Sequence, residues 1–256
     1  MLVSEAWQLY KADKQIQGYS FQTLKVYNVQ LLLLIKYFGD IQITDITTES
    51  VKLYLGEAAA ELKASSLCHR IRFIKSLFKW AQEENYVPVN PVSNIKEPKP
   101  ESRIPKFLTE EEIELLREAC DSTFEKALFE FMYSTGCRIG EVVSLDKHAI
   151  NFAEQSVIVF GKGKKEREVY FNTRCSIWLK RYMEERTDDQ QALFVTTRAP
   201  HRMSIAQMRY VIKQISKRAG INKCIHPHQL RPSYATPLIN TGAPLEVIQN
   251  LMGHEK

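Results

Sequence analysis

The stretch Lys96-Glu97-Pro98-Lys99-Pro100-Glu101-Ser102-Arg103-Ile104-Pro105 can be neither a helix nor the middle of a sheet. Its three prolines fix φ, remove backbone donors and push the residues before them into extended conformations. It is also charged and poor in apolar residues, so no core can form around it. It reads as a linker over 96–106, dividing the chain into a domain at 1–95 and a second at 107–256. Each is long enough to bury a core without staples. The composition, 44% hydrophobic and 25% charged, is that of an ordinary globular protein.

The first domain reads as helical. Phe21, Leu24, Tyr27, Leu31, Leu34, Ile35 and Phe38 recur at helical spacing, and Gly39 follows as a stop. A second segment, 48–62, takes its apolar face from Val51, Leu53, Tyr54, Leu55 and Ala58. A third, 65–84, carries Leu67, Ile71, Ile74, Leu77, Phe78 and Ala81, with His69, Arg70, Arg72, Lys75 and Lys79 assigned to its other face. Those cations are either a solvated face or a surface for a polyanion. Asn90-Pro91 closes the region.

In the second domain three capping boxes mark helix starts: Thr109 to Glu112, Ser122 to Glu125, and Ser204 to Gln207. Two short β-prone runs, 157–160 and 167–171, flank Gly161-Lys162-Gly163-Lys164-Lys165, which predicts a hairpin with a basic tip. The expected class is mainly α: a helical N-terminal domain, then a mixed, mostly helical domain with a small antiparallel sheet.

The longest apolar run, Leu31 to Ile35, is far short of a bilayer span, and no signal peptide is read at the N-terminus. Five dispersed cysteines without a CxxC pair argue for reduced thiols in a cytoplasm and against a zinc ribbon. No carboxylates and histidines cluster at metal-ligand spacing, and there is no P-loop. The net charge of +5 permits a polyanionic partner.

Four motifs of the second domain carry chemistry: Ser134-Thr135-Gly136-Cys137-Arg138-Ile139-Gly140-Glu141, the Gly161-Lys162-Gly163 hairpin, His228-Gln229-Leu230-Arg231, and Leu251-Met252-Gly253-His254. Singly, each has a structural explanation. In this order they resemble the signature of the tyrosine recombinases, the phage-integrase family, in its short Xer-type form. The helices of the first domain and the Asn90-Pro91 stop resemble the family's core-binding, SAM-like domain.

The resemblance implies a two-domain clamp around double-stranded DNA that cuts and rejoins recombination sites without metal, cofactor or ATP. It implies a tetramer on DNA, a monomer without it, and no membrane. Arg138 and Arg231 match the family's phosphate-clamping arginines, Lys162 its general acid, and His228 an acid/base or phosphate-bonding residue. His254 matches a phosphate donor that also positions the nucleophile. The residue types suit the task. Attack on a phosphodiester builds negative charge on the non-bridging oxygens, and a planar guanidinium fork meets that charge as an ammonium cannot. Arg70, Arg72, Lys75, Lys79, Lys164 and Lys165 are the expected DNA-contacting cations. Glu141 reads as structural, a salt bridge or cap near Arg138, and Pro227 as a first helical residue beside His226.

Two departures stand out. No tyrosine follows Tyr234, so the family's nucleophile is expected to be absent and the catalytic domain incomplete. Pro232 and Pro237 stand where the family commonly has histidine, and inside a helix each costs about 3 kcal/mol. Two other readings stay open: a silent DNA-binding protein that competes for recombination sites, and, with less to support it, a metal-dependent nuclease.

Overall fold

A computed structural model of the chain describes residues 1–99, 107–161, 165–223 and 225–231. Lys162, Lys164, Pro232, Pro237 and His254 lie outside the described residues. The chain forms two compact units, Met1–Ile104 and Pro105–Lys256.

The first unit is built from α1 (Val3–Ile16), α2 (Phe21–Phe38), α3 (Thr48–Glu61) and α4 (Ala64–Glu83). Helix α2 starts where Ser20 Oγ accepts the Thr23 amide and stops at Gly39, whose φ of 78° suits a residue with no Cβ. Aromatic residues fill the centre: Tyr10 lies edge-on to Trp80, Trp7 edge-on to Phe73, and the Tyr10 hydroxyl bonds Ser76 Oγ at 2.7 Å. That bond satisfies a polar tip in a closed core. Two positions taken from the periodicity as core are corrected: Phe21 is 82% and Leu53 66% exposed. Phe21 opens its helix before the core begins, and Val51, Tyr54, Leu55 and Ala58 already supply the buried face of α3.

The charged face assigned to α4 also needs revision. At 3.6 residues per turn Arg72, Lys75 and Lys79 share one side of the helix, and Arg70 falls roughly opposite. Arg70 accordingly lies over the Tyr54 ring at 5.2 Å. Arg72 pairs with Glu97 at 2.8 Å, and the Cys68 thiol contacts the Pro98 carbonyl at 3.7 Å. The start of the proline-spaced stretch therefore rests on α4.

The second unit contains α5 (Glu110–Glu118), α6 (Thr123–Thr135), α7 (Ile139–Ser144), β1 (Ile150–Asn151), β2 (Ser156–Phe160), β3 (Glu166–Tyr170), α8 (Thr173–Glu185) and α9 (Ile205–Arg218). The side chains of Thr109, Ser122 and Ser204 each accept the amide three residues on; the box is reciprocal at Thr109 and Ser204, whereas Glu125 accepts the Asp121 amide in place of that of Ser122. The sheet runs β1-β2-β3, antiparallel throughout, with Val157 opposite Val169 and Val159 opposite Arg167. Helix α6 is the central element. It packs against α8, α9 and β3, and its Leu128, Phe129 and Phe131 share one buried core with Leu179, Phe194 and Ile212. A helical turn at 227–231 follows, opened by Pro227, with Leu230 wholly buried.

Candidate active site

The site is set by how α6 ends. Gly136 terminates the helix in the left-handed region, φ 59° and ψ 21°, and Cys137 and Arg138 turn the chain into α7. Gly136→Ala should cost about 1 kcal/mol from that conformation alone. Thermal unfolding measures it, and an unchanged midpoint would mean that the turn relaxes freely.

Arg138 sits at the N-cap of α7. Its backbone N–H donates to Glu141 Oε2 at 2.8 Å and a guanidinium nitrogen to Oε1 at 3.0 Å. Glu141 is therefore both a cap and an ion-pair partner of Arg138, as the sequence suggested. The sequence did not reveal its second partner. Arg167 of β3 donates two nitrogens to the same carboxylate, at 2.8 and 2.7 Å. Burial alone would raise the Glu141 pKa, but the Arg167 and Arg138 hydrogen bonds outweigh it and hold the carboxyl below its usual range. A signal for Arg167 did exist. It alternates with Val169 on the covered face of β3, and a charge there needs a partner.

The hairpin base adjoins this pair. Gly161 N–H donates to the Lys165 carbonyl at 2.8 Å, and a Cβ on Gly161 would stand 3.4 Å from an Arg167 nitrogen and 3.9 Å from Glu141 Oε1. Lys165 is exposed beside it.

Arg231 enters from the turn at 227–231. It is 7% exposed and donates one nitrogen to the Gly136 carbonyl at 2.8 Å. Its other terminal nitrogen is buried and has no partner among the described residues. Burial, then the neighbouring charge of Arg138, push its pKa down to about 10. Two guanidinium groups distant in sequence are thus held close enough to act on each other, with the Glu141 carboxylate offsetting part of their charge.

His228 lies three residues before Arg231, on the same side of the turn. Its exposed ring stacks on His226, centroids 5.4 Å apart and planes 10° apart. Partial burial, then His226 and Arg209, hold its pKa below the usual value. The structure thus brings Arg138 and Arg231 together with Glu141 and Arg167, and sets His228 one turn away. No group of three metal-ligating side chains occurs among the described residues. No helix among them is long and apolar enough to cross a membrane.

The phage integrase family model matches residues 106–256, and the phage integrase N-terminal SAM-like domain matches 10–85. Tyrosine recombinase XerC of Oceanobacillus iheyensis is 33% identical over 250 residues, covering 91% of this chain and 82% of that protein. Tyrosine recombinase XerD of Ralstonia nicotianae is 34% identical over 253 residues, covering 93% and 81%. Among solved structures, XerA recombinase aligns over 99% of this chain and 90% of its own, with a TM-score of 0.57 at 26% identity. A lambda integrase (75–356) dimer bound to a COC′ core site gives 0.82 at 19% identity, over 100% and 96%, a likeness of fold. Matched along both of its units and across most of the length of these relatives, the chain belongs to the phage integrase family of tyrosine recombinases.

Proposed function

We propose that the chain acts in site-specific recombination by binding duplex DNA and seating the phosphate to be attacked between Arg138 and Arg231. The observation that carries this reading is Arg231. A buried guanidinium, bonded to one carbonyl and crowded by a second arginine, is costly unless an anion completes it. A phosphate oxygen supplies that anion, and charge developing there in the transition state is what two preorganised donors stabilise.

In the reaction a tyrosine oxygen bonds to phosphorus while the bond to the 5′ oxygen breaks. Lys162 is the candidate to protonate that leaving oxygen, His228 to accept the proton of the tyrosine hydroxyl or hydrogen-bond the phosphate, and His254 to hydrogen-bond the phosphate. The stretch 96–106 joins the two units in this reading. The protein works as an oligomer on DNA and is a monomer without it. The relatives are named recombinases, and lambda integrase has been captured as a dimer on a core site and as a tetramer on a Holliday junction.

The sequence holds no tyrosine after Tyr234, so a polypeptide of these 256 residues should bind duplex DNA without forming a covalent adduct. Binding and adduct formation are measured on intact and nicked duplexes in EDTA. An adduct would overturn the residue assignment, and an absence of binding would overturn the function. Adding a segment that carries a tyrosine should then give the adduct. Binding that stays non-covalent even so would favour the second reading, a protein that occupies sites without cutting them.

The same assay tests the α4 cations. Neutralising Lys75 and Lys79 should lower the salt slope by roughly one per lost phosphate contact, about two in all. Arg70→Gln should leave it unchanged, because Arg70 faces Tyr54. An unchanged slope in the double variant would make this a solvated face.

A further inference from the structure

Glu141 is a buried carboxylate shared by two arginines on unequal terms. Arg167 meets it with two nitrogens, at 2.8 and 2.7 Å, from a side chain 13% exposed. That is a planar fork on a planar acceptor, the strongest geometry such a pair can adopt. Arg138 reaches it with a guanidinium nitrogen at 3.0 Å, from a side chain 46% exposed. It adds its backbone N–H at 2.8 Å, which fixes where the residue starts α7. Glu141 thus holds Arg138 through its main chain and one guanidinium nitrogen, while Arg167 alone meets the carboxylate with a two-nitrogen fork.

Without Arg167 the balance would change. The carboxylate would stay buried with Arg138 as its nearest cation, and Arg138 would turn inward to neutralise it. A clamp arginine neutralised in that way is lost to a phosphate.

The geometry points to Arg167 as a positioning residue of the phosphate clamp: it engages Glu141 so that Arg138 keeps its charge for the anion. This rests on the reading of Arg138 and Arg231 as the clamp. Arg167 itself touches no substrate in this scheme. It acts through Glu141, and its place on β3 couples α7 to the base of the hairpin, where Gly161 abuts the pair.

The test is a titration of the 256-residue chain with inorganic phosphate, followed by the side-chain Nε resonances of ¹⁵N-labelled arginine. In the parent, phosphate should shift Arg138 and Arg231. Arg167→Gln should weaken phosphate binding by about tenfold. Adding Glu141→Gln to it should restore binding to within about threefold of the parent, because the amide has no charge with which to hold Arg138. A merely structural Arg167 gives the opposite ordering, with the double variant no better than the single one.

Arg167→Lys keeps the charge without the fork and should bind within about threefold of the parent. It carries the test if Arg167→Gln does not fold, and a tenfold loss in it would overturn the charge argument. Parent-like binding by Arg167→Gln, or no recovery in the double variant, overturns the proposal and leaves the clamp standing. Phosphate that shifts neither Arg138 nor Arg231 in the parent overturns the clamp itself.

Discussion

Arg231→Met should raise the melting temperature of the protein while abolishing its hold on phosphate. The guanidinium is 7% exposed and its pKa is held at about 10, below the ordinary 12.5, by burial first and by Arg138 second. A base whose folded pKa is depressed makes the folded state less stable wherever it is charged. The cost is present in full at pH 7 and fades only as pH rises through 10 toward 12.5, and it amounts to about 3 kcal/mol. Methionine forfeits the hydrogen bond to the Gly136 carbonyl, about 1 kcal/mol, and fills similar space with apolar atoms. The net gain of about 2 kcal/mol corresponds to about 4–8 °C. Phosphate should then raise the midpoint of the parent and leave that of the variant unmoved. In a chain supplied with a tyrosine, strand cleavage should fall by about 10²–10³. Calorimetry with and without phosphate checks this. A lower midpoint in the variant would remove the argument that the pocket stands ready for an anion.

Glu141→Leu should do the reverse and destabilise strongly. It leaves Arg167 largely buried without its carboxylate and takes the acceptor from the Arg138 amide. Removing one member of a buried pair costs about 3–5 kcal/mol, so the midpoint should drop by about 10 °C or more. Replacing both Glu141 and Arg167 by apolar residues should recover much of that loss. The pH dependence has a definite direction. Because the Glu141 carboxyl is held below its usual range, its contribution is whole above the unfolded carboxylate pKa of about 4.3. It disappears as pH falls through the lower, folded value. Unfolding curves of parent and variant should therefore converge in acid. A gap that stays constant from pH 7 to pH 3 would show that the charge of Glu141 is not what matters.

What could be read from the sequence was local, and what was missed depends on contacts across the chain. Thr109, Ser122 and Ser204 announce their helices because each cap bonds an amide three residues away. Gly39 announces the end of α2 in the same way. Helix α8 was not foreseen. Arg174, Lys180, Arg181 and Glu184 interleave with Leu179 and Tyr182, and only packing against α6 shows which side is buried. The two-residue strand β1 has too little pattern to be seen at all. Arg70 was grouped with Arg72, Lys75 and Lys79 by charge, although its angle on the helix sends it to Tyr54.

The candidate site follows the same rule. Arg138 and Arg231 could be nominated because each lies in a recognisable motif. Arg167 was passed over because its partner is 26 residues away, on another element.

The bond from Arg231 to the Gly136 carbonyl has a consequence for how variation at this site combines. The anchor of Arg231 lies two peptide units from the Cα of Arg138, so the tether of one arginine and the backbone seat of the other share one short stretch of main chain. A change that displaces 136–138 moves the seat of one arginine and the tether of the other together. Double-mutant cycles between residues around Gly136 and residues around Leu230 should therefore be strongly non-additive, even where no side chains touch. Substitutions elsewhere in the second unit can drift independently, whereas across this bond they are constrained to change as a pair.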